Sequence, residues 1–246
     1  MAPTPKPEAR EARCDVLRIE LGGGTFSRAL SYRAEQPGPL RGHFLTPVPS
    51  AALEVAYAPA AHAGCDAWSP LYVDARYEQV LYASSRVGSE QLLTLASDAR
   101  FGFGYRLAFS RFFVDPSIHY DLRRIELGGD YVPDFGYRTL RLGLFAGVQL
   151  ASVIVELGGA YHVIEHAGEL TDNAWFPLAR GYGYELEARL GLRLSRTFSV
   201  VVSGHTELRT FTLNPQPPYG YPHGIAGALD DRIVSTELSL RWAPSL

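Results

Sequence analysis

Residues Leu93 to Phe109 decide the fold, because the stretch LTLASDARFGFGYRLAF alternates between two kinds of side chain along most of its length. The odd positions carry mostly aliphatic and aromatic side chains, and the even positions carry mostly small or charged ones. An amphipathic helix cannot hold this pattern, since its apolar face recurs about every 3.6 residues, whereas a strand alternates with a period of two. The stretch is therefore predicted to be a β-strand.

The same alternation recurs from Tyr182 to Leu194 (YGYELEARLGLRL) and again in the last strand of the sequence. Turn-forming residues separate such segments. The sequence predicts ten strands, with eight to twelve as the range, at 15–34, 51–59, 71–81, 91–109, 118–131, 138–150, 153–165, 181–194, 197–211 and 232–243. The predicted fold class is all-β, a transmembrane antiparallel up-and-down β-barrel.

The predicted connections alternate between short and long. Ala151-Ser152 and Ser195-Arg196 are tight turns, and Asp115-Pro116 is placed in another short connection. The segments 166–180 and 212–231 are long and rich in Pro, Gly, Asn and Asp. Short periplasmic turns that alternate with longer external loops are typical of outer-membrane barrels. An even strand count then places both chain ends in the periplasm.

The polar face of the strands is predicted to line a closed lumen. Glycine concentrates on this face, and small residues fit where side chains converge inside a narrow barrel. The face also mixes charges of both signs, which can pair across a lumen. A soluble barrel with an apolar interior, of the lipocalin kind, is the alternative. The predicted lumen network contains Arg100, Arg106, Glu126, Arg141, Glu156, Glu185, Glu187, Arg189, Arg193, Glu237 and Arg241.

Composition excludes several classes of protein. The chain has 23 basic and 26 acidic residues and no basic patch, so we expect no nucleic-acid partner. No apolar run approaches the ~18 residues of a membrane helix. Cys14 and Cys65 match no metal or redox spacing; they fall on the same side of the predicted topology and are a candidate disulfide, with two reduced thiols as the alternative. No cofactor or metal motif is present.

The alternation, the polar lumen face and the last strand together resemble the bacterial outer-membrane β-barrel superfamily, in particular its small members of eight to twelve strands. The resemblance covers residues 14–246, and residues 1–13 are predicted to be a Pro-rich, disordered linker. Leu238, Leu240 and Trp242 fit the superfamily's C-terminal assembly signal, although four residues follow Trp242. The resemblance implies an outer-membrane location and contact with lipid or lipopolysaccharide, and the linker-like N-terminus favours a periplasmic or outer-membrane protein partner.

One phrase recurs in the sequence. Arg18 to Gly23 and Arg124 to Gly129 both spell RIELGG, and Ile154 to Gly159 spells IVELGG. Convergence on one strand recipe, with the glutamate facing inward, explains the recurrence better than duplication, because the spacings are unequal.

Two enzymatic hypotheses come from the residues. Ser203, His205 and Glu207 alternate on the inward face of one strand and contain the side-chain types of a hydrolase triad. Alternate strand residues are roughly 6.6 Å apart, so a lumen hydrogen-bond network is the favoured interpretation. An omptin-type protease would use rim acids, here Asp130, Asp134, Glu169, Asp172, Asp230 and Asp231, with His166 and His223.

The favoured function is not enzymatic. It is a membrane anchor or binding platform that acts through its external loops, with Trp175, Tyr219 and Tyr221 as candidate recognition residues. A small or gated channel and a rim-located lipid-modifying hydrolase are the alternatives. Ten strands enclose a lumen that side chains can largely fill, which weakens the channel hypothesis.

Overall fold

A computed structural model of the chain shows a closed antiparallel β-barrel of ten strands, which confirms the predicted fold class. The structure describes residues 16–34, 42–63, 70–87, 90–127, 133–214 and 227–244. The strand segments are β1 (Leu17–Ala34), β2 (His43–Tyr57), β3 (Leu71–Val80), β4 (Ala83–Val87), β5 (Glu90–Tyr105), β6 (Leu107–Phe109), β7 (Phe112–Glu126), β8 (Phe135–Leu150), β9 (Val153–Ala167), β10 (Arg180–Arg193), β11 (Phe198–Thr212) and β12 (Gly227–Trp242).

Strands that are consecutive in the chain lie side by side around the barrel. β3 and β4 together form one barrel strand, and so do β5 and β6. β12 pairs with β1 from Ile19–Trp242 to Ala34–Gly227, and this pairing closes the sheet. Closure leaves no free edge, so the backbone polar groups of the wall can pair between strands, as a lipid environment requires.

The two ends of the barrel differ. At the turn end, where β1 begins and β12 ends, the connections at Ser110-Arg111, Ala151-Ser152 and residues 194–197 are short, whereas the β2–β3 connection spans residues 58–70. At the loop end the β4–β5 connection has only residues 88–89 and the other connections are longer, and Gly168–Thr171 forms a 3₁₀-helix between β9 and β10. A second 3₁₀-helix, Pro59–Ala63, lies at the turn end. No helix among the described residues is long and apolar enough to cross a membrane.

Most of the wall has an apolar outer face and a charged inner face. On β8, Leu142 and Leu144 point outward and are exposed, while Arg141 on the same strand points into the lumen and is buried. On β10, Leu186 is exposed beside the buried Glu185 and Glu187. The soluble barrel with an apolar interior is therefore the wrong alternative for this part of the wall.

The arrangement inverts at the loop end, where the lumen is filled by apolar side chains and charged residues lie outside. We call the inner set the apolar plug. It contains Phe26, Leu30, Ile125, Leu127, Phe135, Tyr137, Leu170, Phe176, Phe211, Leu213, Leu229 and Ile233. Leu170 and Phe176 come from the β9–β10 connection, which folds into the barrel mouth. This end of the wall is built like a water-soluble protein.

Glycine on the inner face makes room for large side chains. A Cβ at Gly104 would overlap the ring of Tyr72, and a Cβ at Gly158 would overlap the ring of Phe145. Each ring lies against the inner face of the wall at the position of a glycine. Close packing of this kind is the reason that glycine concentrates on the polar face.

The turn before β7 lies at a different place from the prediction. Asp115 and Pro116 lie inside β7, and the short turn is Ser110-Arg111, where Ser110 has a φ of 58°. Between Gly104–Ser117 and Leu107–Val114 the ladder to the neighbouring strand is interrupted. A proline without an N–H is tolerated at such a break.

The second strand starts earlier than predicted. β2 begins at His43 rather than at residue 51 and runs through two prolines, Pro47 and Pro49. The pairing register between β1 and β2 shifts between Phe26 and Arg28, at this level of the wall. A bulge accommodates residues that cannot donate to a regular ladder. Similarly, β12 starts at Gly227 rather than at residue 232.

Glu126 is the one predicted lumen residue that faces away from the lumen. Ile125 and Leu127 on either side are fully buried in the apolar plug, and Glu126 pairs with the exposed Arg124 on the outer face. The recurring RIELGG phrase thus faces opposite ways in β1 and β7, because Glu20 points inward. The two copies differ because they lie at different positions along the barrel axis. Glu20 lies near the turn end, whereas Glu126 lies at the loop end, where apolar residues face inward.

Candidate functional site

The lumen is the candidate site, and its charged part begins near the turn end. Arg76 on β3 binds Glu237 on β12 at 2.5 Å (Nη2 to Oε2), across the β1–β12 pairing that closes the barrel. Arg241 binds Glu20 at 2.8 Å (Nε to Oε2), across the β12–β1 pairing. Charge-assisted bonds of this kind cross-link strands that are distant in sequence.

A second layer lies nearer the middle of the lumen. Arg141 binds Glu185 through two nitrogens at 2.9 and 3.0 Å, and His162 lies 3.1 Å (Nε2 to Oε2) from the same carboxylate. Glu207 receives Arg123 at 2.6 Å and Arg209 at 2.5 Å. These groups are buried, so each charge depends on its partner for solvation.

The apolar plug itself contains one ion pair. Arg28 binds Asp231 with two nitrogens at 2.8 and 2.9 Å, and the Tyr137 hydroxyl donates to the same carboxylate at 2.6 Å. The Arg28 guanidinium also lies 4.1 Å from the centre of the Phe135 ring. Both side chains of the pair are fully buried.

Between the turn end and the middle layer lies a polar cavity, with about 410 Å³ of space free of protein atoms and partly open to solvent. Arginines, carboxylates and a few neutral polar groups line it. The lining is Arg18, Glu54, Tyr72, Asp74, Arg100, Arg106, Asp115, Ser117, His119, Arg141, Phe145, Glu156 and Arg189. We call it the lumen cavity.

The structure places the predicted network residues in these layers. Arg106 binds Asp115 at 2.8 Å, Arg189 binds Glu187 at 2.5 Å, and Arg241 lies 3.8 Å from Glu156. Arg193 is half-buried at the turn end of β10. Arg100 lines the lumen cavity without an ion pair to any described carboxylate.

Several network residues were missed in the sequence. Asp74, Arg76 and Glu78 alternate on the inward face of β3, and His119, Asp121 and Arg123 do so on β7. A search for charged residues two positions apart within an alternating strand would have identified both sets. The misplaced boundary at Asp115-Pro116 removed only one charged residue, Asp115, from the predicted strand, and Glu54 on β2 has no charged neighbour two residues away.

Ser203, His205 and Glu207 do not form a triad. The His205 ring lies 2.8 Å (Nδ1) from the Ser235 hydroxyl on the neighbouring strand. Glu207 is held by Arg123 and Arg209. His205 and Glu207 therefore have partners outside the predicted set, and the described contacts show no serine–histidine–acid relay among these three residues.

The predicted loop residues have different outcomes. Trp175 is half-buried against the apolar plug, with its ring 6.4 Å from that of Phe176. Tyr219, Tyr221 and the pair Cys14 and Cys65 lie outside the described residues, as do Asp130 and His223.

Three of the described rim acids, Asp134, Glu169 and Asp231, are bonded to other groups of the barrel. Asp134 accepts from the backbone N–H of Leu127 at 2.8 Å, and Glu169 accepts from that of Asp134 at 3.0 Å. Asp231 is buried on Arg28. The described ranges contain no group of three or more His, Cys, Asp or Glu side chains that could hold a metal ion.

Solved structures share this architecture. The outer-membrane protease OmpT from Escherichia coli superposes with a TM-score of 0.57 at 10% identity, over 97% of this chain and all of that one. An outer-membrane channel of the COG4313 family from Pseudomonas putida F1 gives a TM-score of 0.47 at 8% identity, over 97% of this chain and all of the channel. No protein-family model and no curated protein sequence matches the chain.

The likeness to OmpT shows the fold. The exposed large hydrophobic residues of the wall form an apolar outer belt around this fold. The likeness does not carry over an activity, because identity is 10% and one fold supports many functions.

Proposed function

We propose that the protein is a closed outer-membrane barrel that anchors its loop end at the cell surface and uses that end as a binding platform. In this proposal both chain ends lie in the periplasm, and a periplasmic or outer-membrane protein and lipopolysaccharide are its partners. No conduction and no catalysis are required of the barrel itself.

The apolar plug carries the proposal. Leu170 and Phe176 are fully buried in the mouth of the barrel, among inward side chains from the surrounding strands. Ions do not cross a dry apolar layer easily, because the loss of hydration is costly. Below the plug, the buried ion pairs of the middle layer lie between the plug and the lumen cavity.

The loop end also supports a platform. Its wall carries charged residues on the outer face, including Arg124 and Arg138, so it extends beyond the apolar belt. The ordered β9–β10 connection is fastened to the barrel by Leu170 and Phe176. A rigid base of this kind lowers the entropy that recognition loops lose on binding.

Single-channel recording tests the closed barrel. Detergent-folded protein, checked by its heat-modifiable gel mobility, is inserted into planar bilayers. We expect a quiet baseline without unit steps. Reproducible conductance steps would contradict the proposal and favour the small-channel alternative.

Cysteine labelling tests the orientation. In a background with serine at positions 14 and 65, Asn173→Cys places a thiol in the loop-end connection and Ser152→Cys places one in a tight turn. Both positions are exposed. A membrane-impermeant maleimide added to intact cells should label residue 173 and leave residue 152 unlabelled until the outer membrane is opened. The reverse pattern would overturn the proposed orientation.

A further inference from the structure

We propose that the lumen cavity is a binding site for a small phosphate-bearing molecule, held between Arg100 and Glu54. The site is distinct from the loop end on which the proposed platform function depends. The argument rests on two buried polar groups that the protein itself leaves incompletely paired.

Arg100 supplies the positive charge. The four other arginines of the lumen cavity each hold a carboxylate: Arg18 at 2.9 Å, Arg106 at 2.8 Å, Arg141 at 2.9 Å and Arg189 at 2.5 Å. Arg100 forms no ion pair with a described carboxylate, and its Nε is buried without a hydrogen-bond partner. A guanidinium in this state is suited to an oxyanion, which it can bind through two parallel hydrogen bonds.

Glu54 supplies an acceptor. Its side chain is 4% exposed, and Oε1 receives Arg18 at 2.9 Å. Among the described residues Oε2 has no hydrogen-bond partner, and the arginine nitrogens in its ion pairs are those of Arg76 at 3.8 Å and Arg189 at 3.9 Å. A buried acceptor without a donor is unfavourable, so a ligand that brings a donor is stabilised there.

The two groups together select a class of ligand. Hydrogen phosphate and phosphomonoesters near neutral pH carry anionic oxygens for Arg100 and, when protonated, a hydroxyl donor for Glu54. Sulfate carries no proton at this pH and would place an anionic oxygen against a carboxylate. The cavity should therefore prefer phosphate to sulfate.

The ligand can reach the cavity from the turn end. Arg106, which lines the cavity, lies next to the turn at Ser110-Arg111, and its side chain is 34% exposed. On the other side the middle layer and the apolar plug close the lumen. Access from the turn end means access from the periplasm in the proposed orientation.

Titration calorimetry of the folded full-length protein at neutral pH tests the site, with inorganic phosphate and sulfate as separate titrants. We expect saturable phosphate binding that is about tenfold or more tighter than sulfate binding, the effect expected of one charge-assisted hydrogen bond. Glycerol phosphate as a third titrant separates the two sources: retained binding indicates a phosphomonoester, and lost binding indicates inorganic phosphate.

Variants identify the groups. Arg100→Gln should weaken phosphate binding about tenfold or more, whereas Arg193→Gln, an inward arginine outside the cavity lining, should leave it unchanged. Glu54→Gln should bring the sulfate and phosphate affinities together. Heat-modifiable mobility reports whether each variant folds; if Glu54→Gln does not, Arg100→Gln and the phosphate-to-sulfate ratio decide. Absent phosphate binding, equal binding of both anions by the native protein, or full affinity in Arg100→Gln would overturn the site.

Discussion

Asp230 and Asp231 are sequence neighbours on β12 whose carboxylates lie on opposite faces of the wall. Asp231 is fully buried in the apolar plug, where Arg28 and the Tyr137 hydroxyl satisfy it. Asp230 pairs with Arg33 on the outer face, where the arginine side chain is 61% exposed. The same residue type thus has two roles that only its orientation distinguishes.

Replacing each aspartate by alanine separates these roles. Asp231→Ala leaves the Arg28 charge buried without a partner, and we expect a loss of about 3–5 kcal/mol in the free energy of unfolding. Asp230→Ala removes an exposed pair and should cost less than about 1 kcal/mol. Denaturant unfolding in detergent micelles measures both. Equal losses in the two variants would mean that the interior at this level is wet.

At the scale of elements, the pairing of β1 with β12 (the seam) requires the backbones of the two strands to approach closely. A Cβ at Gly24 would overlap the Thr236 carbonyl oxygen and lie 2.9 Å from the Glu237 Cα. At Gly23, one residue earlier on the same strand, the nearest atom to a Cβ is the Ser50 carbonyl oxygen at 3.6 Å. The seam closes the barrel, so crowding there affects the whole wall.

Alanine at these two glycines gives a matched test of the seam. Gly24→Ala requires a backbone shift, and we expect it to cost about 1–3 kcal/mol or more, with a lower yield of the heat-modifiable form. Gly23→Ala faces outward into ordinary contact space and should fold like the native protein. If both variants fold alike, the close approach at Gly24 is not a constraint on closure.

At the scale of the whole molecule, the barrel has two levels with opposite rules. Within the apolar belt, large hydrophobic residues face outward and charges face inward. At the loop end, charges face outward and the apolar plug fills the interior. In the proposed outer-membrane location, the transition between them sets the depth of the barrel in the bilayer.

Arginine scanning on the outer face locates this transition. Leu142→Arg places a charge in the belt, and we expect a loss of about 2–4 kcal/mol in lipid vesicles. Thr212→Arg, at the loop end of β11 and also exposed, should cost between about 0 and 1 kcal/mol. Equal costs at the two positions would show that the outer face does not change environment along the strands.

Strand periodicity could be predicted from the sequence because each face of a strand meets the same environment over most of its length. Alternation over Leu93–Phe109 and Tyr182–Leu194 predicted the barrel, its ten strands and the inward direction of Arg141, Glu185 and Glu187, which the structure places in the lumen. The glycines on the polar face also pointed correctly to crowding inside the wall.

The position of each residue along the barrel axis was decided only by the tertiary structure. The phrase RIELGG has the same local preferences in both of its copies, yet Glu20 faces the lumen and Glu126 faces outward, because one lies in the belt and the other at the water-facing loop end. Likewise, His205 takes its partner from β12, and Glu207 takes its partners from β7 and from its own strand β11. Alternation is a local property of a strand, whereas the partner of a lumen charge depends on which strands the closed barrel brings opposite it.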